Sequence, residues 1–224
     1  KKNLTDVKTN FKQIKHNIND FIGIDAFKKY RWWSLKDILI SKNKIYISYT
    51  EEIKKNCWNT GIIHGIINFE IDYILFYKLF SAKECIHEHN NIDKVINVGH
   101  GGGRIVEFND NHILLSVGEY QNRHLAQNKK SINGKIIKIN VNTKNYEIIS
   151  MGHRNPQGLY FDKENNFILE TEHGPFGGDE INLIEVEEIN GDEIQNYGWP
   201  MVSAGEHYGG RIEKNNKKYE KYPL

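Results

Sequence analysis

The chain has 224 residues, enough for one large domain or two small ones, and its 30 basic and 29 acidic residues give a formal net charge of +1. This balance argues against nucleic acid or an anionic membrane surface as the main partner, because both favour clustered positive charge. No window reaches the roughly 18 apolar residues of a membrane span. The most apolar run, "YILFYKLF" (73–80), is interrupted by Lys78.

The chain begins with "KKNL", which has neither an initiator Met nor the apolar core of a signal peptide, so we expect a mature form or a fragment. Residues 1–30 show no sustained pattern and are treated as a separate N-terminal segment. The domain is expected to span 31–224. The two cysteines, Cys57 and Cys85, fit either one disulfide or two small buried side chains.

Short β-branched and aromatic runs alternate with Asn, Gly and Asp, which predicts a series of β-hairpins. In chain order, the hairpins pair 37–41 with 44–50, pair 103–108 with 112–119, and lie within 134–152 and within 158–172. Hairpins that recur without a helical period between them predict an all-β fold of the β-propeller type. At roughly 40–50 residues for a four-stranded blade, the chain would hold about four blades.

The segment "GHGGGRI" (99–105) places His100 beside three glycines, where the backbone can approach a ligand closely. A histidine with an ordinary pKa of about 6.5 is suited to proton abstraction. The segment lacks the Lys-Ser/Thr ending of a phosphate loop. The chain also lacks the Gly-x-Ser-x-Gly elbow that an "HGGG" esterase requires. A glycine-rich strand entry with a hydrogen-bonded histidine is the alternative.

Two later turns concentrate polar groups. "GHRNPQG" (152–158) offers the permanent charge of Arg154 together with Asn155, a combination suited to anionic oxygens. "TEHGPFGGDEIN" (171–182) combines Gly-Pro carbonyls with two acids, which are ligands that calcium prefers. The alternatives are a turn held by an Arg–carboxylate pair and a solvated acidic loop. "HEH" (87–89) offers no third metal ligand and is interpreted as surface.

Five motifs occur in the order "HGGGR", "LAQNKKSINGKIIKI" (125–139), "GHRNPQGL" (152–159), "EHGPFGGDEINLI" (172–184) and "NYGWP" (196–200). In this order they resemble the soluble quinoprotein glucose/sorbosone dehydrogenases, including the aldose sugar dehydrogenases. The resemblance implies a six-bladed β-propeller, incomplete in this chain, with pyrroloquinoline quinone (PQQ) and Ca²⁺ near its axis. It implies an oxidoreductase that converts the anomeric hydroxyl of an aldose, or a related alcohol, to a lactone and passes electrons to an external acceptor.

The resemblance also assigns roles to individual residues. His100 would be the general base, and Arg154 with Asn155 would bind the quinone. Gly174 and Pro175 would present carbonyls to the cofactor's calcium. A second, structural calcium site and the sugar pocket are implied at further positions, namely Asp179, Glu180 and Tyr197 for the calcium and His124 and Leu125 for the sugar. A periplasmic or secreted location follows by analogy.

The chain departs from the family in three places. "WWSLKD" (32–37) replaces the family's approach to the first hairpin, and a longer acidic loop fills 185–195. The basic residues that grip the quinone carboxylates belong to the family's C-terminal blades, beyond Leu224. A non-enzymatic propeller that serves as a binding module is therefore the alternative function, because a shared fold does not determine activity.

Overall fold

The computed structural model describes residues 14–22, 35–68, 73–186 and 193–205. Most of the predicted N-terminal segment 1–30 and all residues after 205 lie outside this description. The described residues form three multi-stranded sheets and one two-stranded parallel sheet, which pairs β1 (Lys15–His16) with β5 (Tyr73–Ile74). Three short 3₁₀ helices span Ile18–Asp20, Val98–His100 and Arg123–Gln127.

Each large sheet is built mainly from consecutive antiparallel strands. The first contains β2 (Leu35–Ser41), β3 (Lys44–Lys54), β4 (Cys57–Ile66) and β6 (Phe76–Ser81), with β7 (Ile86–His87) also paired to β4. The second contains β8 (Gly102–Asn109), β9 (His112–Val117), β10 (Lys135–Asn140), β11 (Tyr146–Met151) and, parallel to β11, β15 (Gln195–Asn196). The third contains β12 (Pro156–Asp162), β13 (Phe167–Glu172) and β14 (Glu180–Glu185).

All four predicted hairpins are confirmed as the pairs β2–β3, β8–β9, β10–β11 and β12–β13. Their turns use residues that tolerate a left-handed backbone: Asn166, for example, has a φ of 58° between β12 and β13. The strands β4 and β6, in a region without family-like motifs, complete the first sheet.

The first strands of the three sheets lie side by side, as the inner strands of propeller blades do. Arg104 of β8 donates to the Asp37 carboxylate of β2 (3.0 Å) and to the Gln157 carbonyl of β12 (3.1 Å). The Ser116 hydroxyl donates to the Pro156 carbonyl at 2.9 Å. The predicted all-β, propeller-type fold, incomplete in this chain, is therefore confirmed, with three blades among the described residues.

The hydrophobic core lies between these blades. Successive residues of β9 point to opposite faces, so Leu115 packs in the cluster against the first sheet and Leu114 in the cluster against the third. Ile137 and Ile136 of β10 divide in the same way. Because both faces of the second sheet are covered at β9 and β10, consecutive residues such as Leu114 and Leu115, or Ile136 and Ile137, are all buried.

Cys57 and Cys85 form a disulfide, with their Cα atoms 5.3 Å apart. Cys57 begins β4, and Cys85 directly precedes β7, which pairs with β4 through Trp58 and Ile86. Of the two interpretations left open by the sequence, the disulfide is the one observed. In the described part of the chain, no helix has the length and apolar character needed to cross a membrane.

Candidate functional site

A cavity of about 260 Å³ opens at the ends of the inner strands of the second and third sheets. It is lined by both residues predicted to be catalytic, His100 and Arg154. The other lining residues are Asn97, Glu119, Gln121, Arg123 and Trp199. Two residues that are 54 positions apart in sequence thus share one hollow.

The glycines beside His100 are required by the local backbone. Gly102 and Gly103 have φ values of 59° and 107°, in the region that favours glycine. The neighbouring Gly118 packs so tightly that a Cβ there would lie 1.9 Å from the His100 carbonyl oxygen. The Tyr120 amide then donates to that same carbonyl at 3.1 Å. These contacts hold the turn that carries His100 against the end of β9.

The imidazole of His100 is oriented by a buried carboxylate. His100 Nδ1 lies 3.0 Å from Glu119 Oε1, and the Glu119 side chain is 1% exposed. The same oxygen accepts the Gln121 amide hydrogen at 2.9 Å, so the carboxylate is itself fixed. An ionised carboxylate at Nδ1 favours the tautomer that carries its proton there, which leaves the lone pair on Nε2. The pair is therefore arranged as a base and its orienting acid.

Arg154 is held from several sides. Its guanidinium donates to the His173 carbonyl at 2.6 Å and lies 5.4 Å from the centre of the Trp199 ring. Its backbone amide donates to Glu172, and its carbonyl accepts from the Glu119 amide at 2.9 Å. With the residue only 5% exposed, this network places a permanent positive charge at the cavity wall.

Asn155 joins the two loops that carry His100 and Arg154. Its side-chain oxygen accepts from the Gly102 amide at 3.3 Å and from the Gln157 side chain at 2.7 Å. Its backbone carbonyl accepts from the His173 amide. Asn155 is not among the cavity-lining residues, and its observed contacts hold the loops in register.

Gly174 and Pro175 lie in a tight turn directly after β13. A Cβ on Gly174 would lie 1.7 Å from the Gly178 carbonyl oxygen, so only glycine fits. The Gly178 amide donates to the Pro175 carbonyl at 2.9 Å, and the Gly174 amide donates to Asp179 at 3.0 Å. The turn therefore requires glycine at position 174, because any larger residue would collide with the Gly178 carbonyl.

The three residues predicted for a second calcium site are spread over two elements. Asp179 caps the Gly174 turn with its exposed carboxylate, and Glu180 begins β14 opposite Glu172. The Tyr197 hydroxyl instead donates to the Leu183 carbonyl and to Gln195 at 3.1 Å. Asp179 and Glu180 are adjacent in sequence but contact different groups, and the side chain of Tyr197 points elsewhere.

His124 and Leu125 lie on the 3₁₀ helix Arg123–Gln127, next to the cavity-lining Arg123. Beneath this helix the ammonium group of Lys135, whose side chain is fully buried, donates at 2.8 Å to the carbonyls of Leu125, Ala126 and Asn133. Burial lowers the pKa of Lys135 to about 7. Lys135 thus holds in place the helix that is predicted to border the sugar pocket.

Sequence reasoning missed several residues of the cavity, above all Glu119. A detectable signal existed, because Glu119 directly follows the apolar strand β9, at the end nearest the glycine segment. Arg104, by contrast, pairs with Asp37 and is not among the cavity-lining residues.

The family model for glucose/sorbosone dehydrogenases matches residues 35–223. The chain belongs to the glucose/sorbosone dehydrogenase family.

Two known relatives were compared with this chain by sequence identity and by the length of the alignment. The chain is 27% identical over 180 residues to the aldose sugar dehydrogenase YliI of Escherichia coli, an alignment that covers 75% of this chain and 44% of the relative. It is 31% identical over 135 residues to the quinoprotein glucose dehydrogenase B of Acinetobacter calcoaceticus, covering 47% of this chain and 27% of the relative.

A solved structure agrees with this placement. The apo-form of the soluble aldose sugar dehydrogenase of Escherichia coli superposes with a TM-score of 0.58 at 25% identity, over 75% of this chain and 48% of that one. The chain thus spans less than half the length of these relatives.

The cavity residues of this family member fit the groups that the family implies. Arg154 and Arg123 bring positive charge to the cavity, as a cofactor with several carboxylates requires. The Gly174–Pro175 turn, which is outside the cavity lining, offers backbone carbonyls beside the Asp179 carboxylate. Carbonyl and carboxylate oxygens are the ligands that calcium takes.

Proposed function

We propose that the full-length protein oxidises the anomeric hydroxyl of an aldose, or of a related alcohol, to the lactone with PQQ and Ca²⁺. The observation that carries the proposal is the cavity that His100, its partner Glu119 and Arg154 share. The proposal is supported by family membership and by relatives named aldose sugar dehydrogenase and quinoprotein glucose dehydrogenase.

PQQ supplies the hydride acceptor when it is bound, and calcium supplies a Lewis acid for the quinone. His100 takes the proton of the anomeric hydroxyl on Nε2, because Nδ1 is bonded to Glu119. Glu119 stabilises the imidazolium that forms and keeps the ring in place. Base and orienting acid thus act as one unit.

Arg154 would bind the quinone oxygen on which negative charge develops, and its contacts to the His173 carbonyl and the Trp199 ring hold the guanidinium at the cavity wall. Asn155 holds the turn that carries it. Gly174 and Pro175 would contribute carbonyls to the cofactor's calcium. The remaining proposed contacts are a structural calcium at Asp179 and Glu180, without the Tyr197 hydroxyl that was predicted to join it, and sugar contacts from His124 and Leu125.

The electrons leave to an external acceptor, and the protein works in the periplasm or outside the cell. The Cys57–Cys85 disulfide supports this location, since disulfides persist in oxidising compartments.

The proposal is tested by reconstitution. Full-length protein with PQQ and Ca²⁺ is expected to reduce an artificial electron acceptor when an aldose is added, and protein without PQQ is not. The rate of dye reduction is measured over a panel of sugars and alcohols. If no substrate gives PQQ-dependent turnover, the protein is instead a propeller that serves as a binding module.

Glu119→Gln is expected to lower kcat by about 10- to 100-fold. The change keeps the side-chain shape but removes the charge, and a hydrogen bond to a charged group contributes about 1.5–3 kcal/mol. Because Glu119 acts through His100, KM should change little, and the lower limb of the kcat–pH profile should shift. Glu164→Gln, on the exposed β12–β13 turn, is the matched control. An unchanged kcat and pH profile in Glu119→Gln would show that the pair is only structural.

A further inference from the structure

A second group of titratable side chains lies outside the cavity, on the other side of the turn 152–157. His153, Glu170 and Glu172 each offer one atom that can bind a metal, and these three atoms all lie within 4.8 Å of one another. His153 Nδ1 is 3.6 Å from Glu170 Oε2 and 3.6 Å from Glu172 Oε1. The two glutamates share a face of β13 because they are two residues apart.

The group is buried and has unused hydrogen-bonding atoms. His153 and Glu170 are 0% exposed, and neither His153 Nδ1 nor Glu170 Oε1 has a hydrogen-bond partner. The Tyr197 ring stacks on the imidazole at 4.9 Å. Unpartnered buried polar atoms are costly, and a cation between the two carboxylates would give a partner both to His153 Nδ1 and to Glu170. These atoms therefore point to a cationic ligand.

The neighbours of His153 favour the tautomer in which Nδ1 can bind a metal. His153 Nε2 lies 2.8 Å from the Ser150 hydroxyl, and donation to that oxygen would leave the Nδ1 lone pair facing the carboxylates. Metal-binding histidines almost always use the other ring nitrogen to donate such a hydrogen bond. Glu172 is held too, because its Oε2 accepts from the backbone amides of Arg154 and Asn155.

A fourth ligand is within reach. The Asn182 Nδ2 atom is 2.9 Å from Glu170 Oε2 and 3.2 Å from Glu172 Oε1, the same two oxygens that face His153. Rotating the amide plane by half a turn exchanges its nitrogen and oxygen with almost no change in shape. The Asn182 side-chain oxygen would then join the other three ligand atoms.

We propose that His153, Glu170, Glu172 and Asn182 form a structural site for a divalent transition metal, with Zn²⁺ as the best fit. Ligands about 2.0–2.1 Å from a tetrahedral zinc ion are about 3.4 Å apart, close to the observed separations of 3.6 Å. An imidazole ligand favours zinc over calcium, which takes oxygen ligands. This site lies beside Glu180 and Tyr197, two of the residues that the sequence predicts for a structural calcium, but it uses other ligands and does not depend on the proposed function.

The ion would connect three parts of the chain. His153 comes from the turn that carries Arg154, the glutamates from β13, and Asn182 from the neighbouring strand β14. Glu172 also accepts hydrogen bonds from the Arg154 and Asn155 amides. An ion bound to Glu172 would therefore restrict the motion of the turn that places Arg154 at the cavity. Its expected effect is on stability and on the position of Arg154.

The test uses full-length protein that carries His87→Gln and His89→Gln, so that the surface "HEH" segment cannot bind zinc. After exhaustive dialysis, Zn²⁺ is titrated while bound metal and thermal unfolding are measured. Co²⁺ serves as a spectroscopic probe, because its visible absorption reports coordination geometry. We expect one Zn²⁺ per chain, a higher Tm, and a tetrahedral Co²⁺ spectrum that Zn²⁺ abolishes.

Glu170→Gln keeps the shape of the side chain and removes one ligand charge, and it is expected to weaken zinc binding at least 10-fold. Glu164→Gln is the matched control and should bind like the parent. Circular dichroism verifies that Glu170→Gln folds, and His153→Gln serves as the second variant. The proposal is overturned by the absence of stoichiometric binding, by calcium displacing zinc at equal concentration, or by unchanged affinity in both variants.

Discussion

Replacing His100 by Ala is expected to lower kcat of the PQQ-reconstituted full-length protein by about 10²–10⁴-fold, the range for loss of a general base. This corresponds to about 2.7–5.5 kcal/mol of activation free energy. The cause is local, because the variant removes the imidazole that lines the cavity and that Glu119 orients. Turnover of an aldose with an artificial electron acceptor is the measurement.

The matched control is His89→Ala, which removes an imidazole that is 77% exposed and is not among the cavity-lining residues. PQQ binding, followed by absorption, should be nearly unchanged in both variants, since His100 is proposed to act on the substrate. If His100→Ala turns over at the rate of the control, the base lies elsewhere and the proposed mechanism is wrong.

Removing the disulfide by Cys57→Ser together with Cys85→Ser is expected to lower the free energy of unfolding by about 3–4 kcal/mol. The bond closes a loop of 28 residues, and the entropy that such a loop removes from the unfolded chain accounts for this amount. Urea unfolding of the oxidised protein and of the double variant, followed by circular dichroism, measures the difference.

The single variants provide the control, because each alone already opens the loop. Cys57→Ser and Cys85→Ser should each lose nearly the full amount, and combining them should add little. Losses that simply add, or a total below about 1 kcal/mol, would show that the bond contributes through local packing rather than through the unfolded chain.

The local parts of the fold were predictable from the sequence. Each of the four hairpins lies within 20 residues, and its turn residues and apolar runs are readable in the chain, as in the β12–β13 pair around Asn166. His100 and Arg154 were found because glycine, proline and charged residues are concentrated around them. The family motifs then placed both residues in one site, and the cavity confirms that they meet there.

Other parts were not predictable, because they depend on which loops meet. In the sequence, Glu119 is one of 29 acidic residues. Its role is visible only because the turn after β9 packs on the loop that carries His100. Arg104, next to the glycines, was an equally reasonable cavity residue, yet it pairs with Asp37 of the neighbouring blade. The cysteine pairing remained open until the partnership of β4 and β7 brought the two side chains together.

The sequence alone determined the all-β class, the hairpins and the family, because these depend on short-range patterns of side-chain polarity and backbone preference. The tertiary structure decided which charged groups meet: Glu119 with His100, and His153 with the two glutamates of β13. The physical reason is that a charge acquires its role from its nearest neighbours and its burial. Each of these pairs joins a loop to a strand or turn outside its own local sequence pattern, so only the packed fold shows that the two groups meet.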